Sequence, residues 1–492
     1  MRKVSELILK REAQPIFDPS KTEVIFGAPG CGKTTYLMDV LERELTTLLP
    51  EDIGFVSFTR KGAYEGRDRA QAKFSFNSAE EYWPYFRTLH SIAFRAGGFT
   101  RRDMMGKQDY REFSEKMGMN FTGYYTEEFY HNDDMFIFLD ILARNNPYAV
   151  DAYLNDVNNA KLEMVRENYA EFRKFHKVSD FTDVLEWFVL NNKPLPVDVA
   201  IIDEAQDLTT LQWEVCRVAF SQCKRVYVAG DDDQAIYEWS GADVKRFLTL
   251  GGKRTILDKS YRLPSNILEL AKKISSGISN RVEKDFEPVS QGGTINYYNS
   301  VDEVKIVPKE SYYFLSRNNF FLRWHEDTLR QRALVYWKRD IISADPRVVA
   351  AINAFERVRQ GESPDDLDIK YKRFLRAAVD MSKPWFDNFV LDLDELAYYR
   401  DLVRSRISTT ETDLEVNSIH GVKGGEADNV VLLLDFTRAV KESFERTPDA
   451  ELRCLYVAVT RARHNLHIIY SNGKTGYDYY LNQILGNTRW AT

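Results

Sequence analysis

The chain has 492 residues, 44% of them hydrophobic and 29% charged, with a net charge of -7. That length exceeds what one hydrophobic core serves, so several domains are expected, and the acidic balance argues against coating nucleic acid by bulk charge. No apolar run approaches the roughly 20 residues that cross a bilayer, which excludes a membrane partner at the level of sequence. The N-terminus, MRKVSELILKREAQPIF, mixes charges into its apolar positions and is no signal peptide. Cys31, Cys216, Cys223 and Cys454 lack C-x-x-C spacing and clustered histidines. A reduced, cytoplasmic protein without structural zinc or a disulfide framework is expected. Aromatic residues at 13% still leave material for a local stacking groove.

In chain order, EVIFGAPGCGKTTYLMDVLERELTTLL reads as a short strand, a glycine turn and an amphipathic helix. The spacing G-x-x-x-x-G-K-T falls on Gly27, Gly32, Lys33 and Thr34. Glycines let successive backbone N–H groups converge on phosphates, and the helix N-terminus adds partial positive charge. Gly27, Ala28, Gly30, Cys31, Gly32, Lys33, Thr34 and Thr35 are the expected cradle for ATP. Within it Lys33 reaches the β- and γ-phosphates, and Thr34 offers its hydroxyl to Mg²⁺. The bland alternative is a chance glycine turn before a helix.

Further on, PVDVAIIDEAQDL is an apolar strand that runs into adjacent acids. Asp203 can bind Mg²⁺, and Glu204 can polarise the water that attacks the γ-phosphate. Two solvated acids at a strand end are the alternative. A kinase needs no such glutamate, because its nucleophile is a substrate hydroxyl, so the pair leans towards hydrolysis. A third strand, RVYVAGDDDQAIYEWSGAD, ends in three acids and Gln234, then presents Tyr237 and Trp239.

These stretches resemble the UvrD/Rep/PcrA family of superfamily 1 DNA helicases, in the family's order. GAPGCGKT is similar to motif I, VSFTRKGAYEGRDR to Ia, FRTLHSIAFR to Ib, IIDEAQD to II and GDDDQAIYEWSGA to III. LDKSYRLPSNIL is similar to motif IV, YFLSRNN loosely to the short motif after it, VNSIHGVKGGEADNVVLL to V and ELRCLYVAVTRARHNLHIIY to VI. The resemblance implies that Gln234 touches the γ-phosphate. It also implies that Arg262 and Arg461 come from a second motor domain as arginine fingers, that Tyr261 stacks on adenine and that Glu426 binds the ribose. The family's glutamine motif follows a Leu-Asn pair that is missing here; Gln14 in KREAQPIF is the nearby candidate to read adenine. Phe58, Tyr237 and Trp239 are implied stacking platforms for single-stranded DNA. Thr59, Arg60, Thr88 and His90 are implied backbone contacts, with Arg317 and His420 on the second motor domain.

The implied fold is α/β, two RecA-like P-loop motor domains each carrying a mainly helical insertion. The expected first motor domain is 1–95 with 180–250 and its insertion 96–179. The second is 251–335 with 409–492, interrupted by a shortened insertion at 336–408. No nuclease domain is expected after motif VI. The function implied is an ATP-dependent DNA helicase that moves along single strands, in the branch that travels 3′ to 5′. Single-stranded DNA and single/double-strand junctions are the implied partners, with single-strand-binding or replication and recombination proteins beside them, acting on a monomer or weak dimer. The competing readings are a translocase that strips proteins from single strands, an RNA-directed motor, a small-molecule P-loop kinase and a non-catalytic binding module. The kinase leaves motifs III to VI without a reason, and Lys33, Asp203 and Glu204 argue against the binding module.

Overall fold

The computed structural model describes residues 2–58, 60–74, 83–125, 133–154, 157–191, 193–363, 369–405, 411–472 and 475–478. Two compact units divide the chain: Met1–Arg262 with Ile278–Val289, and Leu263–Gly277 with Ser290–Thr492. The first is organised by β1 (Thr22–Gly27), β2 (Ile53–Ser57), β3 (Phe86–Arg87), β4 (Val199–Asp203), β5 (Arg225–Gly230) and β6 (Lys253–Leu257). Their order is β3-β2-β4-β5-β1-β6, and every pair is parallel. Ile25 of β1 lies opposite Ala229 of β5 on one side and Thr255 of β6 on the other. β4 shows why its sequence is an unbroken apolar run: all five residues are buried, as a strand covered on both faces requires.

The boundary expected after residue 250 falls later. Lys253–Leu257 is the edge strand beside β1, because the exposed edge of β1 is a row of donors and acceptors that this extended segment satisfies. A two-stranded sheet of β7 (Lys259–Pro264) and β8 (Glu287–Ser290) follows.

The second unit is built on β9 (Thr294–Tyr298), β10 (Tyr312–Ser316), β11 (Trp337–Lys338), β12 (Ile341–Ile342), β13 (Leu414–Ser418), β14 (Ala427–Leu433) and β15 (Ala462–Ile469). Their order is β12-β11-β13-β10-β14-β15-β9, parallel except for the β11–β12 pair. The fold class is therefore α/β with two largely parallel sheets. Between β12 and β13, helices Pro346–Arg359 and Leu393–Ser405 pack around Ile352, Phe355, Phe389 and Tyr398.

Between β3 and β4 the helices Lys107–Met117, Asp134–Asn145 and Asn159–His176 enclose a core of their own, with Phe113, Phe138, Tyr169 and Phe172 at its centre. Arg144 ties this group to helix Phe181–Asn191. Its guanidinium donates to Asp180 at 2.8 Å, to Glu186 at 2.8 Å and to Asp183, and Arg173 adds a 2.8 Å pair with Asp183. A buried ion cluster is no more stable than an apolar one, but removing one partner leaves uncompensated charge. Arg144→Met is expected to destabilise the first unit by about 3–5 kcal/mol, read as a lower urea midpoint of the purified chain.

Candidate nucleotide site and nucleic-acid interface

Parallel strands end on one edge, and the motif residues of the first unit follow the strand order along it. Thr88 follows β3, Phe58 follows β2, Asp203 closes β4, the three acids follow β5 and the glycine loop follows β1. Tyr261 and Arg262 follow β6 after a short turn. The nucleotide-site candidates thus lie on the β4-β5-β1-β6 side and the aromatic and hydroxyl candidates on the β3-β2 side.

In the glycine loop, Gly30 (φ +70°) and Gly32 (φ +80°) hold the left-handed conformation that leads into helix Lys33–Glu44. Gly30 also permits a close approach: a Cβ there would lie 2.3 Å from the Arg262 Cβ. The segment carrying Arg262 is bonded onto the loop, with Tyr261 N–H donating to the Gly30 carbonyl at 2.9 Å and Ser260 Oγ to the Pro29 carbonyl at 2.9 Å. Arg262 therefore belongs to the first unit, not to the second as the motif order implied. The physical reason is this loop-to-strand bonding, which no spacing reveals. Tyr261 is 68% exposed, which leaves its ring available to a base. Gln14 is exposed just beyond helix Arg2–Arg11, its carbonyl accepting from Arg217 Nη2 at 3.3 Å.

Lys33 Nζ donates to the Gly27 carbonyl at 2.9 Å. Burial would lower its pKa, but Cys31, Asp231, Glu204 and Asp203 together hold it above the ordinary ammonium value. Burial pushes the Cys31 thiol up, and its sulfur fills the space where a Gly27 side chain would stand. Cys31 thus packs the loop through its side chain, and only its backbone suits a phosphate.

Asp203 is buried, and its Oδ1 accepts from the Glu204 N–H at 2.9 Å. Glu204 itself sits at φ +54°, a strained backbone for a residue with a Cβ. Its Oε2 accepts from Gln206 Nε2 at 2.6 Å, and Gln206 Oε1 accepts from the Asp231 N–H at 3.0 Å. Gln206, fully buried, links the β4 and β5 ends; sequence reasoning assigned it nothing, although its place two residues after the glutamate was visible. Thr34 in the first helical turn and Asp203 supply one hydroxyl and one carboxylate. That sparse set suits Mg²⁺, which completes its shell with phosphate and water. Among the described residues no three His, Cys, Asp or Glu converge as a metal cage.

Gln234 Nε2 donates to Asp231 Oδ2 at 2.7 Å. Three residues on, Tyr237 stacks with Phe58, centroids 5.4 Å apart. Trp239 stacks one face on Phe138 of the helical core at 6.1 Å, leaving at most its other face for a base. Thr88 accepts from the Ser91 N–H, capping helix Leu89–Gly97. His90 meets the edge of Phe181, which is 61% exposed and was missed in the sequence because a lone phenylalanine reads as core. Thr59 lies outside the described residues; Arg60 begins helix Arg60–Phe74.

In the second unit the candidates split between two edges. His420 follows β13 and Arg317 follows β10, at carboxyl ends; Glu426 and Arg461 precede β14 and β15, at amino ends. Arg317 is 3% exposed and grips Glu451 through two bonds of 2.7 and 2.8 Å. The buried Glu451 holds its charge, so a strand-backbone contact by Arg317 would have to break that pair. Arg461 is also buried, donating to the Val457, Gly425 and Thr460 oxygens at 3.0–3.1 Å. Glu426 beside it is exposed. His420 Nε2 lies 3.7 Å from Cys454 Sγ.

Strand order and glycine loop together define a P-loop nucleotide-binding protein of parallel α/β architecture. Residues 9–134 and 138–254 match the UvrD/REP helicase N-terminal domain, and 413–469 match the UvrD-like helicase C-terminal domain. The chain belongs to the UvrD/REP helicase family. It is 24% identical over 346 residues to DNA helicase II of Haemophilus influenzae, covering 63% of this chain and 47% of that protein. It is 25% identical over 323 residues to the ATP-dependent DNA helicase PcrA of Leuconostoc citreum, covering 60% and 42%. The PcrA of Staphylococcus epidermidis matches at 24% over 338 residues, covering 58% and 43%. The matched region thus spans less than half the length of these curated relatives.

Substituting Gly30 separates strain from contact. Gly30→Ala is expected to raise the Kd for nucleotide, because the methyl displaces Arg262 on top of a left-handed cost of about 1–2 kcal/mol. Gly98→Ala meets nothing within 4 Å at φ +68°, so a nucleotide titration should find its Kd unchanged.

Proposed function

We propose that this chain is an ATP-dependent DNA motor that moves along single-stranded DNA, in the 3′ to 5′ direction, and separates duplex DNA at single/double-strand junctions. The observation that carries the reading is the turn after β5. Within three residues it bonds Gln234 to the acid turn of the nucleotide site and stacks Tyr237 on Phe58 at the neighbouring strand end. One rigid turn then serves both the γ-phosphate and a base, which is what coupling hydrolysis to movement needs.

In this reading Lys33 holds the phosphates, and Thr34 and Asp203 hold Mg²⁺, which neutralises charge on the transferring phosphoryl group when bound. Glu204 takes a proton from the attacking water. Arg262, held against the loop by the Tyr261 and Ser260 bonds, stabilises the developing charge, and Arg461 is the second candidate for that role. Tyr261 stacks on adenine, Glu426 binds the ribose and Gln14 is the candidate for the adenine edge. Phe58, Tyr237 and the open face of Trp239 take bases, while Thr59, Arg60, Thr88, His90 and His420 contact the strand backbone. The four cysteines are buried and unbridged. No helix among the described residues is long and apolar enough to cross a membrane.

The test is steady-state ATP hydrolysis with and without single-stranded DNA. Stimulation is expected, and its absence sinks the motor reading. Glu204→Gln should lower turnover by about 10²–10⁴-fold. Tyr237→Ala should raise the DNA concentration for half-stimulation by about tenfold, since one stacked base is worth about 1–3 kcal/mol. Forked-duplex unwinding, set against displacement of a protein bound to single strands, separates the helicase from the stripping translocase.

A further inference from the structure

The acid turn after β5 sets an electrostatic problem that the catalytic residues do not solve. Asp231, Asp232 and Asp233 are all fully buried. Three adjacent carboxylates without water repel one another and stay ionised only beside cations. The cations come from residues 278–289, a segment of the first unit bracketed in sequence by stretches of the second. Lys284 Nζ, itself buried, donates to Asp231 Oδ1 at 3.0 Å, to Asp233 Oδ2 at 3.1 Å and to Asp232. Arg281 forks onto Asp233 at 2.8 and 2.7 Å, and the Val282 N–H donates to Asp232 at 2.7 Å.

Asp232 and Asp233 thus each draw a second partner from this strap, whereas the strap gives Asp231 only Lys284, and its oxygens otherwise accept from the Asp233 N–H at 3.2 Å and from Gln234. An ionised carboxylate only accepts, so it compels the amide NH₂ of Gln234 to face it and fixes which end of that amide points onward. A protonated Asp231 could donate instead and let the amide reverse. The peptide N–H of the same Asp231 holds Gln206, whose amide in turn holds Glu204.

We propose that Lys284 is a positioning residue for nucleotide hydrolysis, holding Asp231 as the carboxylate that orients Gln234 and anchoring the turn whose Asp231 peptide N–H, through Gln206, fixes the general base Glu204. The geometry accounts for a buried lysine remote in sequence from every nucleotide motif. Burial alone would discharge it, but the three aspartates hold its pKa above the ordinary lysine value, and Lys284 together with Lys33 holds Asp231 below the usual carboxylate range against its own burial.

The inference rests on the hydrolytic reading above, and the experiment separates the two. Lys284→Met and the double variant Lys284→Met/Asp232→Asn are compared with the wild-type chain for ATP turnover at saturating single-stranded DNA, KM for ATP and thermal midpoint. Lys284→Met should lower kcat by about 100-fold, the scale of a misplaced catalytic group, with KM near the wild-type value and a reduced midpoint. The double variant removes one anion with the cation; its midpoint should recover while kcat stays low. It carries the test by itself where the single variant fails to fold. Wild-type kcat in folded Lys284→Met, or recovery of kcat together with the midpoint in the double variant, would overturn the role. A wild-type chain indifferent to DNA would overturn the motor reading instead.

Discussion

Parallel pairing of six strands is the constraint on which the first unit depends. Strands that run the same way deliver their carboxyl ends to one edge, so residues far apart in sequence arrive side by side. The glycine loop after β1 and the acids after β4 and β5 become neighbours only because the order is β4-β5-β1. The same rule carries Phe58 and Thr88 to the adjoining ends of β2 and β3. A one-place change in strand order would separate the glycine loop and the acids from the aromatic pair without altering a single motif.

That edge concentrates charge, and the fold answers with pairing rather than exposure. Lys33 lies among Cys31, Asp231, Glu204 and Asp203, and their combined field outweighs its desolvation. The acid turn is neutralised from behind by Lys284 and Arg281. Glu204 stands between these groups on a strained backbone, fixed by Gln206. Strain of this kind persists where neighbours over-determine a position, and here β4, the Asp203 carboxylate and Gln206 all do so. In the second unit the same economy gives a different outcome. Arg317 and Arg461 hold internal partners, Glu451 in one case and two main-chain carbonyls with the Thr460 hydroxyl in the other.

Much of this was legible from residues alone. An apolar run between polar turns reads as a strand buried on both faces, and β1, β4 and β5 fall where their sequences place them. The glycine loop was legible because its spacing follows from phosphate geometry. The limit of the first sheet was not, because KRTIL has no signal beyond extended propensity and joins β1 through backbone bonds. Arg262 was assigned to the wrong unit for a related reason: contact with Gly30 is a matter of tertiary approach. Trp239 and Phe181 show the same limit from opposite sides. An aromatic residue looks alike in sequence whether it lies against Phe138 or stands open beside His90.

By itself the sequence determined the chemistry: a phosphate loop, a carboxylate pair on a strand end and a set of motifs in the order of one helicase family. Those features depend on residue type and local spacing, which a linear chain states outright. Tertiary structure alone decided which cations neutralise the acid turn, which arginines are already paired, and that Gln206 joins two strand ends. Such pairings form between residues as much as 134 positions apart, as with Arg317 and Glu451. Burial removes water as their alternative partner, and neither the burial nor the partner is written in local sequence.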